Sequence, residues 1–314
     1  MIYIIGIIIF LIFILNGLYR KSNRFASTFS DIKKIENYCK DNTKFDIINL
    51  GSNHPKYAFN YSEITNYHCA NWAVGPETLE YDFFILKNYY KYIKEQGIVI
   101  IPICPLKMFL YKYKDKHSNL KYYRSRFKKS IPDYSLFFAI KEYYFPIFFQ
   151  PKKMLQLLKN PKTSNNQTNL ERNPLNEEEL LKDADFWIKK CWNSQFGINI
   201  EYMQALNEEN IIAINKNIEI LRGMVYFCFQ NSLTPIICYL PVTSYLGDKF
   251  SKEFIDLYIK RYVQEAINGM NIKIIDFMKD KRFTNKDFYF NSFFMNEKGA
   301  EYFTKEFLKE IGLA

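Results

Sequence analysis

Histidine, glycine and paired cysteines are what this chain has little of, and each shortage narrows its chemistry. Its 314 residues include only three histidines, His54, His68 and His117, so any mechanism built on an imidazole base has three choices. Six cysteines, Cys39, Cys69, Cys104, Cys191, Cys228 and Cys238, make no CxxC pair and no Cys/His cluster. That spacing argues against a metal site and against a disulfide scaffold. Cys104 and Cys238 fall inside apolar runs, where a thiol acts as a small hydrophobe. Glycine numbers 11 against 29 Phe and 25 Tyr, so the packing has to be largely aromatic. A formal charge of +10 raises the question of an anionic partner. No zinc-finger spacing, RNP-like strand or Arg-rich recognition helix accompanies it, so nucleic acid is not expected. A membrane surface, an anionic glycan or a merely solvated basic surface remains. No cofactor is expected.

Ile2 to Leu18 is apolar apart from Tyr3, Gly6, Asn16 and Gly17, and Arg20, Lys21 and Arg24 follow. Seventeen residues at about 1.5 Å each span roughly 26 Å, close to the hydrocarbon thickness of a bilayer. The expectation is one transmembrane helix in residues 1–19, contacting membrane lipid. A cleaved signal peptide fits less well, since no basic segment precedes the run and no small-residue cleavage site ends it. Residues 20–44 read as a juxtamembrane connector with a short helix near Ser30 to Cys39.

From residue 45 the pattern alternates. Phe45 to Leu50 is a β-branched apolar run closed by Gly51-Ser52-Asn53-His54, which predicts a buried strand and a tight turn. A short helix is expected from Pro55 to Thr65, a strand from His68 to Val74, an amphipathic helix from Leu79 to Gln96 and a strand from Ile98 to Cys104. Later come helices over Glu177 to Cys191 and Asn207 to Gln230, a strand Thr234 to Leu240, a helix Phe250 to Ile267, a strand Ile272 to Phe277 and a closing helix Phe303 to Ile311. Such alternation predicts an α/β domain over 45–314, three-layer α/β/α with a central, mainly parallel sheet of flavodoxin-like type. A helical insertion at about 106–206 interrupts it. There Lys112, Lys114, Lys116, Lys121, Arg124, Arg126, Lys128 and Lys129 interleave with Tyr111, Tyr113, Tyr122, Tyr123 and Phe127. That mixture suits stacking on bases or sugars, an anionic membrane surface, or a solvated helix with its tyrosines turned inward. Tyr134 to Leu158 reads as an aromatic helix broken by Pro146 and Pro151, and Asn160 to Asn173 as a polar loop.

Three stretches fall in a telling order. A strand ends in Gly51-Ser52-Asn53-His54, Gly75 follows the second strand, and Asn291-Ser292-Phe293-Phe294-Met295-Asn296 precedes Gly299-Ala300 and the last helix. Together they resemble the SGNH/GDSL hydrolase superfamily over residues 45–104 and 208–311. They look most like its membrane-anchored cell-envelope branch, which includes proteins of teichoic acid D-alanyl transfer and alginate O-acetylation. The resemblance implies a Ser nucleophile at the first turn and an Asp and a His before the last helix. A Ser hydroxyl needs that His as base, and the His needs the carboxylate to set its tautomer. In this chain Asn53 falls at the nucleophile, Asn291 at the acid and Phe294 at the base.

The implied catalytic positions are thus degenerate, and Ser52 with His54 is the fallback for catalysis. Neither amide provides acid–base chemistry, though both keep hydrogen-bonding ability. Gly51, Ser52, Asn53, Gly75, Asn291 and Asn296 are the expected ligand-binding positions. The expected function is an inactive SGNH-like protein that binds or scaffolds in cell-envelope polysaccharide assembly or modification, possible partners being the polysaccharide itself and envelope assembly proteins. The alternatives are an active esterase or O-acyltransferase on a cell-surface glycan, and a non-enzymatic membrane-surface protein. On topology the basic flank implies a cytoplasmic domain and the resemblance an extracytoplasmic one. Large domains translocate despite such charges, so the outside is the expectation.

Overall fold

The computed structural model describes residues 2–113, 116–149, 174–201 and 205–313. The polar stretch at 160–173 and the end of the expected aromatic helix, 150–158, lie outside them. Two compact units emerge from the internal contacts. Among the described residues, one comprises 2–37 and 116–149, the other 38–113, 174–201 and 205–313.

In the first unit, helix Ile2–Arg20 is long and apolar enough to cross a membrane, and most of its side chains are exposed. Helix Asn23–Thr28 starts where the Ser22 hydroxyl accepts the Phe25 N–H at 3.2 Å, the side-chain cap that a helix N-terminus needs. Helix Ser30–Tyr38 follows directly. Tyr19, Phe25 and Phe29 form a small buried cluster with edge-to-face rings 5.4 and 5.1 Å apart. The basic and aromatic stretch folds as a 3-10 segment, Lys116–Arg124, with Tyr122 and Tyr123 buried. Helix Leu136–Tyr144 and a 3-10 turn Pro146–Phe149 come next, the break falling at the proline, which has no N–H to donate. The part of the juxtamembrane connector in this unit packs against the first part of the insertion, Phe25 and Phe29 under Arg124 and the Glu36 carboxylate accepting the Arg126 N–H.

The second unit is α/β around five parallel strands, β1 Phe45–Asn49, β2 Cys69–Asn71, β3 Ile93–Ile103, β4 Thr234–Tyr239 and β5 Lys273–Asp276. Their order is β2-β1-β3-β4-β5, with every pairing parallel. Registers such as Ile48 opposite Val99 and Ile100 opposite Ile236 line up the apolar runs that the sequence marks as strands. Aromatic rings fill one core region, where Phe303 meets Phe277 and Phe59 at 5.2 Å each. The strand order reverses direction between β1 and β3, and in open α/β sheets ligands gather outside the strand ends at that switch.

Element boundaries differ from the sequence reading in physically clear ways. The helix expected to reach Gln96 stops at Tyr89, passes through a 3-10 turn and gives way to β3 at Ile93. Ile93, which fits a helical face by spacing, instead pairs with Phe45, and Gln96 at φ 60° sends its N–H to the Ser232 carbonyl. The helix after β1 is Asn53–Ala58. The helices expected at 177–191 and 250–267 contain π turns, Phe186–Trp192 and Ile255–Lys260. The last helix starts early, at Glu297, because the Asn296 side chain accepts the Gly299 N–H at 2.9 Å.

Candidate functional site

The turn after β1 is built from the backbone upward. Gly51 has φ +114°, a conformation that side chains other than glycine's rarely adopt, and a Cβ there would lie 2.3 Å from the Pro55 ring. Beyond it the chain enters helix Asn53–Ala58. The end of β2 runs beside this turn, since Trp72 donates to the Asn49 carbonyl at 2.9 Å and Val74 to that of Gly51 at 2.8 Å. These two bonds carry Gly75 to Asn53. The approach is so close that a Cβ on Gly75 would fall 1.6 Å from Asn53 Oδ1. Beneath them Asn71 holds the strand ends together. It accepts from Asn49 Nδ2 at 2.9 Å and donates to the Phe59 carbonyl at 2.9 Å.

A cavity of about 290 Å³ opens here. Ser52, Asn53, His54, Glu77 and Lys107 supply polar groups, and Trp187, Trp192, Phe196, Phe293 and Phe294 supply aromatic walls. Of the positions singled out in the sequence, Ser52, Asn53, His54 and Phe294 thus share one cavity, with Gly75 against Asn53.

Asn291 and Asn296 hold the C-terminal loop instead of lining the cavity. The Asn291 side-chain oxygen accepts the N–H groups of Phe293 at 3.0 Å and Phe294 at 2.7 Å, closing a local turn. Asn296 caps the last helix and donates to the Asp287 carbonyl at 2.9 Å. Ser292 is tied to the Asp183 carboxylate through its N–H at 3.0 Å and its hydroxyl, and its carbonyl accepts from Thr243 Oγ1 at 2.7 Å. The loop is pinned from both sides. Phe294 consequently presents its ring at 5.3 Å from Tyr57 and 5.6 Å from Trp187, with Phe293 at 5.1 Å from Trp187 and 4.3 Å from His54.

No hydrogen bond joins Ser52 to His54. Ser52 Oγ accepts the Glu77 N–H at 3.0 Å, while His54 Nε2 lies 3.0 Å from the Pro241 carbonyl. A carbonyl only accepts, so Nε2 carries the proton and Nδ1 bears the lone pair. Burial drives His54 down to about 3, against the opposing pull of that carbonyl, and the ring is neutral at pH 7. His54 Nδ1 and the indole Nε1 of Trp187 are both buried without a hydrogen-bond partner. Buried polar atoms ordinarily have partners, so one acceptor and one donor on residues lining the cavity are left unsatisfied, both closed off from solvent. Of the other histidines, His68 is exposed beyond the opposite end of β1, and His117 falls in the 3-10 segment of the first unit. Asp276 pairs with Lys260 at 2.6 Å and accepts the Met278 N–H, which leaves it no role as a base here.

The structure adds a buried ion pair that the sequence reading missed. Lys107 Nζ meets Asp82 Oδ2 at 2.8 Å, their side chains only 4% and 2% exposed, and approaches the Glu77 carbonyl at 3.4 Å. Burial alone would push the Lys107 ammonium down, but the Asp82 and Glu77 carboxylates hold it above the ordinary lysine value. Cys104, beside it in the wall, is pushed up to about 12 by burial and is no nucleophile at neutral pH. Asp82 looks like one more surface residue of an amphipathic helix, so spacing alone gives no signal for this pair. Nor does spacing bring Trp187 and Trp192 to the wall, because both sit in a π turn that shifts the helical face. Among the described residues no group of three or more His, Cys, Asp or Glu side chains is arranged to hold a metal.

No protein-family model matches the chain, and no curated protein matches it.

Proposed function

We propose that the α/β unit is a binding domain of SGNH-like design that has lost its catalytic groups, anchored by a single membrane-spanning helix and working in cell-envelope polysaccharide assembly or modification. The observation that carries the reading is the convergence of Asn53, Gly75 and Phe294 at one cavity beyond the ends of β1 and β2. In an active hydrolase of that design the places of Asn53 and Phe294 serve a nucleophile and its base, and Gly75 is an expected ligand-binding position. Here an amide and a phenyl ring replace the two groups that move protons. Helices on both faces of the sheet complete a three-layer arrangement in this reading, with the domain on the extracytoplasmic side.

The chemistry of the cavity favours a sugar or an acylated sugar. A volume of about 290 Å³ lies at the small end for ligand sites, suiting one ring or the end of a polymer. Trp187, Trp192 and Phe294 offer flat apolar walls, and a side-chain shift on binding would let a hydroxyl donate to the unsatisfied His54 Nδ1 or accept from Trp187 Nε1.

Two measurements on the full chain in detergent test this. Fluorophosphonate labelling and short-chain aryl ester turnover should both be at background. Titration with envelope-type oligosaccharides should change the tryptophan emission, since two of the three tryptophans line the cavity and Trp72 is buried elsewhere. Serine-dependent turnover abolished by Ser52→Ala would replace this reading with an esterase.

A further inference from the structure

A second cavity, of about 570 Å³, lies wholly within the first unit. Its walls carry four cations, Arg20, Lys33, Arg124 and Lys128, against a single carboxylate, Glu142. Arg124 Nε meets Glu142 Oε1 at 2.7 Å, and the guanidinium lies over the rings of Phe25 and Phe29 at 4.7 and 5.2 Å. That carboxylate fixes Arg124. No carboxylate among the described residues forms an ion pair with Arg20, Lys33 or Lys128. A walled space with such an excess of positive charge suits an anion with several oxygens, and phosphate takes charge-assisted hydrogen bonds from Arg and Lys.

Position relative to the apolar helix says where that anion comes from. Arg20 lines the cavity and is the last residue of helix Ile2–Arg20. Phe13 of the same helix packs on Phe145 at 5.7 Å between ring centroids. Seven residues separate Phe13 from Arg20, so this contact lies about 10 Å further along the helix axis. Between them Asn16, buried in an otherwise apolar helix, donates from Nδ2 to the Tyr144 carbonyl at 2.6 Å. That carbonyl belongs to the end of helix Leu136–Tyr144, where backbone acceptors lack helical partners. Supplying the bond from within the protein is what an apolar surrounding demands. Beside these contacts Phe148, in the turn that packs on the same helix, stands 48% exposed. Segment 144–149 thus accompanies the helix into its apolar layer, and the cavity sits at the level of the helix end.

We propose that this cavity holds the phosphate headgroup of an anionic membrane lipid, with Phe148 lying among the lipid chains. The proposal rests on the reading of helix 2–20 as embedded in a membrane and is independent of any catalytic history of the α/β unit. Because the helix end sets the depth, the site selects lipid over a soluble phosphate.

Native mass spectrometry of the full chain, titrated with phosphatidic acid, phosphatidylglycerol or phosphatidylcholine of matched acyl length, tests it. Both anionic lipids should bind about tenfold or more tightly than phosphatidylcholine, and K33Q/K128Q should remove that preference, each cation near a lipid surface being worth about fivefold. K21Q/K129Q removes the same charge outside the cavity and should keep it. Equal loss in the two double variants would overturn the site in favour of diffuse attraction, and displacement by inorganic phosphate would overturn the lipid origin. Release of the chain from proteoliposomes by alkaline carbonate would overturn the membrane reading and the proposal with it. Retention without headgroup preference would overturn the cavity alone.

Discussion

Asn53 Oδ1 occupies the space that a side chain at Gly75 would need. A Cβ on Gly75 would lie 1.6 Å from that oxygen and 2.5 Å from the Asn53 side-chain carbon. Gly75→Ala should therefore displace Asn53 or the β2 end and destabilise the chain by about 1–3 kcal/mol, as overpacking does. Asn53→Ala removes the obstructing amide, so the double variant should recover much of the loss. Denaturant unfolding of the four species measures the coupling, and strictly additive effects would mean that the two residues do not meet.

Asn53→Ser alone should leave the protein unlabelled by fluorophosphonate. A serine there has no effective base, because Phe294 supplies a ring and burial holds His54 down at about 3, with its Nε2 turned to the Pro241 carbonyl. Asn291→Asp should be tolerated, since a carboxylate oxygen can keep accepting the Phe293 and Phe294 N–H groups. Labelling is expected, at most, when Asn53→Ser, Asn291→Asp and Phe294→His are combined. Rapid labelling of the single variant would show that another group serves as base.

The site's framework was legible in the sequence where backbone demands decide the residue. Gly51 needs a positive φ, the β-branched run before it needs a buried strand, and both leave marks that spacing can find. Asn53 and Phe294 were picked out by the motif resemblance, Asn53 at the start of helix Asn53–Ala58 and Phe294 in the loop before helix Glu297–Glu310. The pair Asp82 and Lys107 left no such mark, for a buried charge is defined by what surrounds it, and those neighbours come from distant segments. Trp187 and Trp192 were hidden by a π turn, which breaks the 3.6-residue period on which helical faces are read. The end of the helix at Tyr89 was lost for a related reason, since Ile93 satisfies helical spacing and strand pairing equally well.

Acid should destabilise the fold through His54. Its ordinary value is 6.5 and burial takes it to about 3, so between these values the unfolded chain binds a proton that the folded chain refuses. The contribution is whole above pH 6.5, falls as the pH drops and is lost by about pH 3, amounting to a few kcal/mol. His54→Gln should flatten this part of the stability profile measured by denaturant unfolding from pH 7.5 to 4. An unchanged slope would place the ring in contact with water.

The pair of Asp82 and Lys107 should show the asymmetry of buried charges. Removing one partner strands the other in a site that is 2–4% exposed. Lys107→Met should therefore cost about 3–5 kcal/mol, a loss large enough to appear as poor expression. Adding Asp82→Leu removes the stranded carboxylate, and the double variant should unfold much closer to the wild type. Because Lys107 also lines the cavity, the double variant separates two roles that the single variant confounds. If it folds normally and still shifts tryptophan emission with oligosaccharide, the ion pair serves the architecture. If it folds normally and the shift is gone, the ammonium contacts the ligand, and an acidic sugar becomes the preferred class.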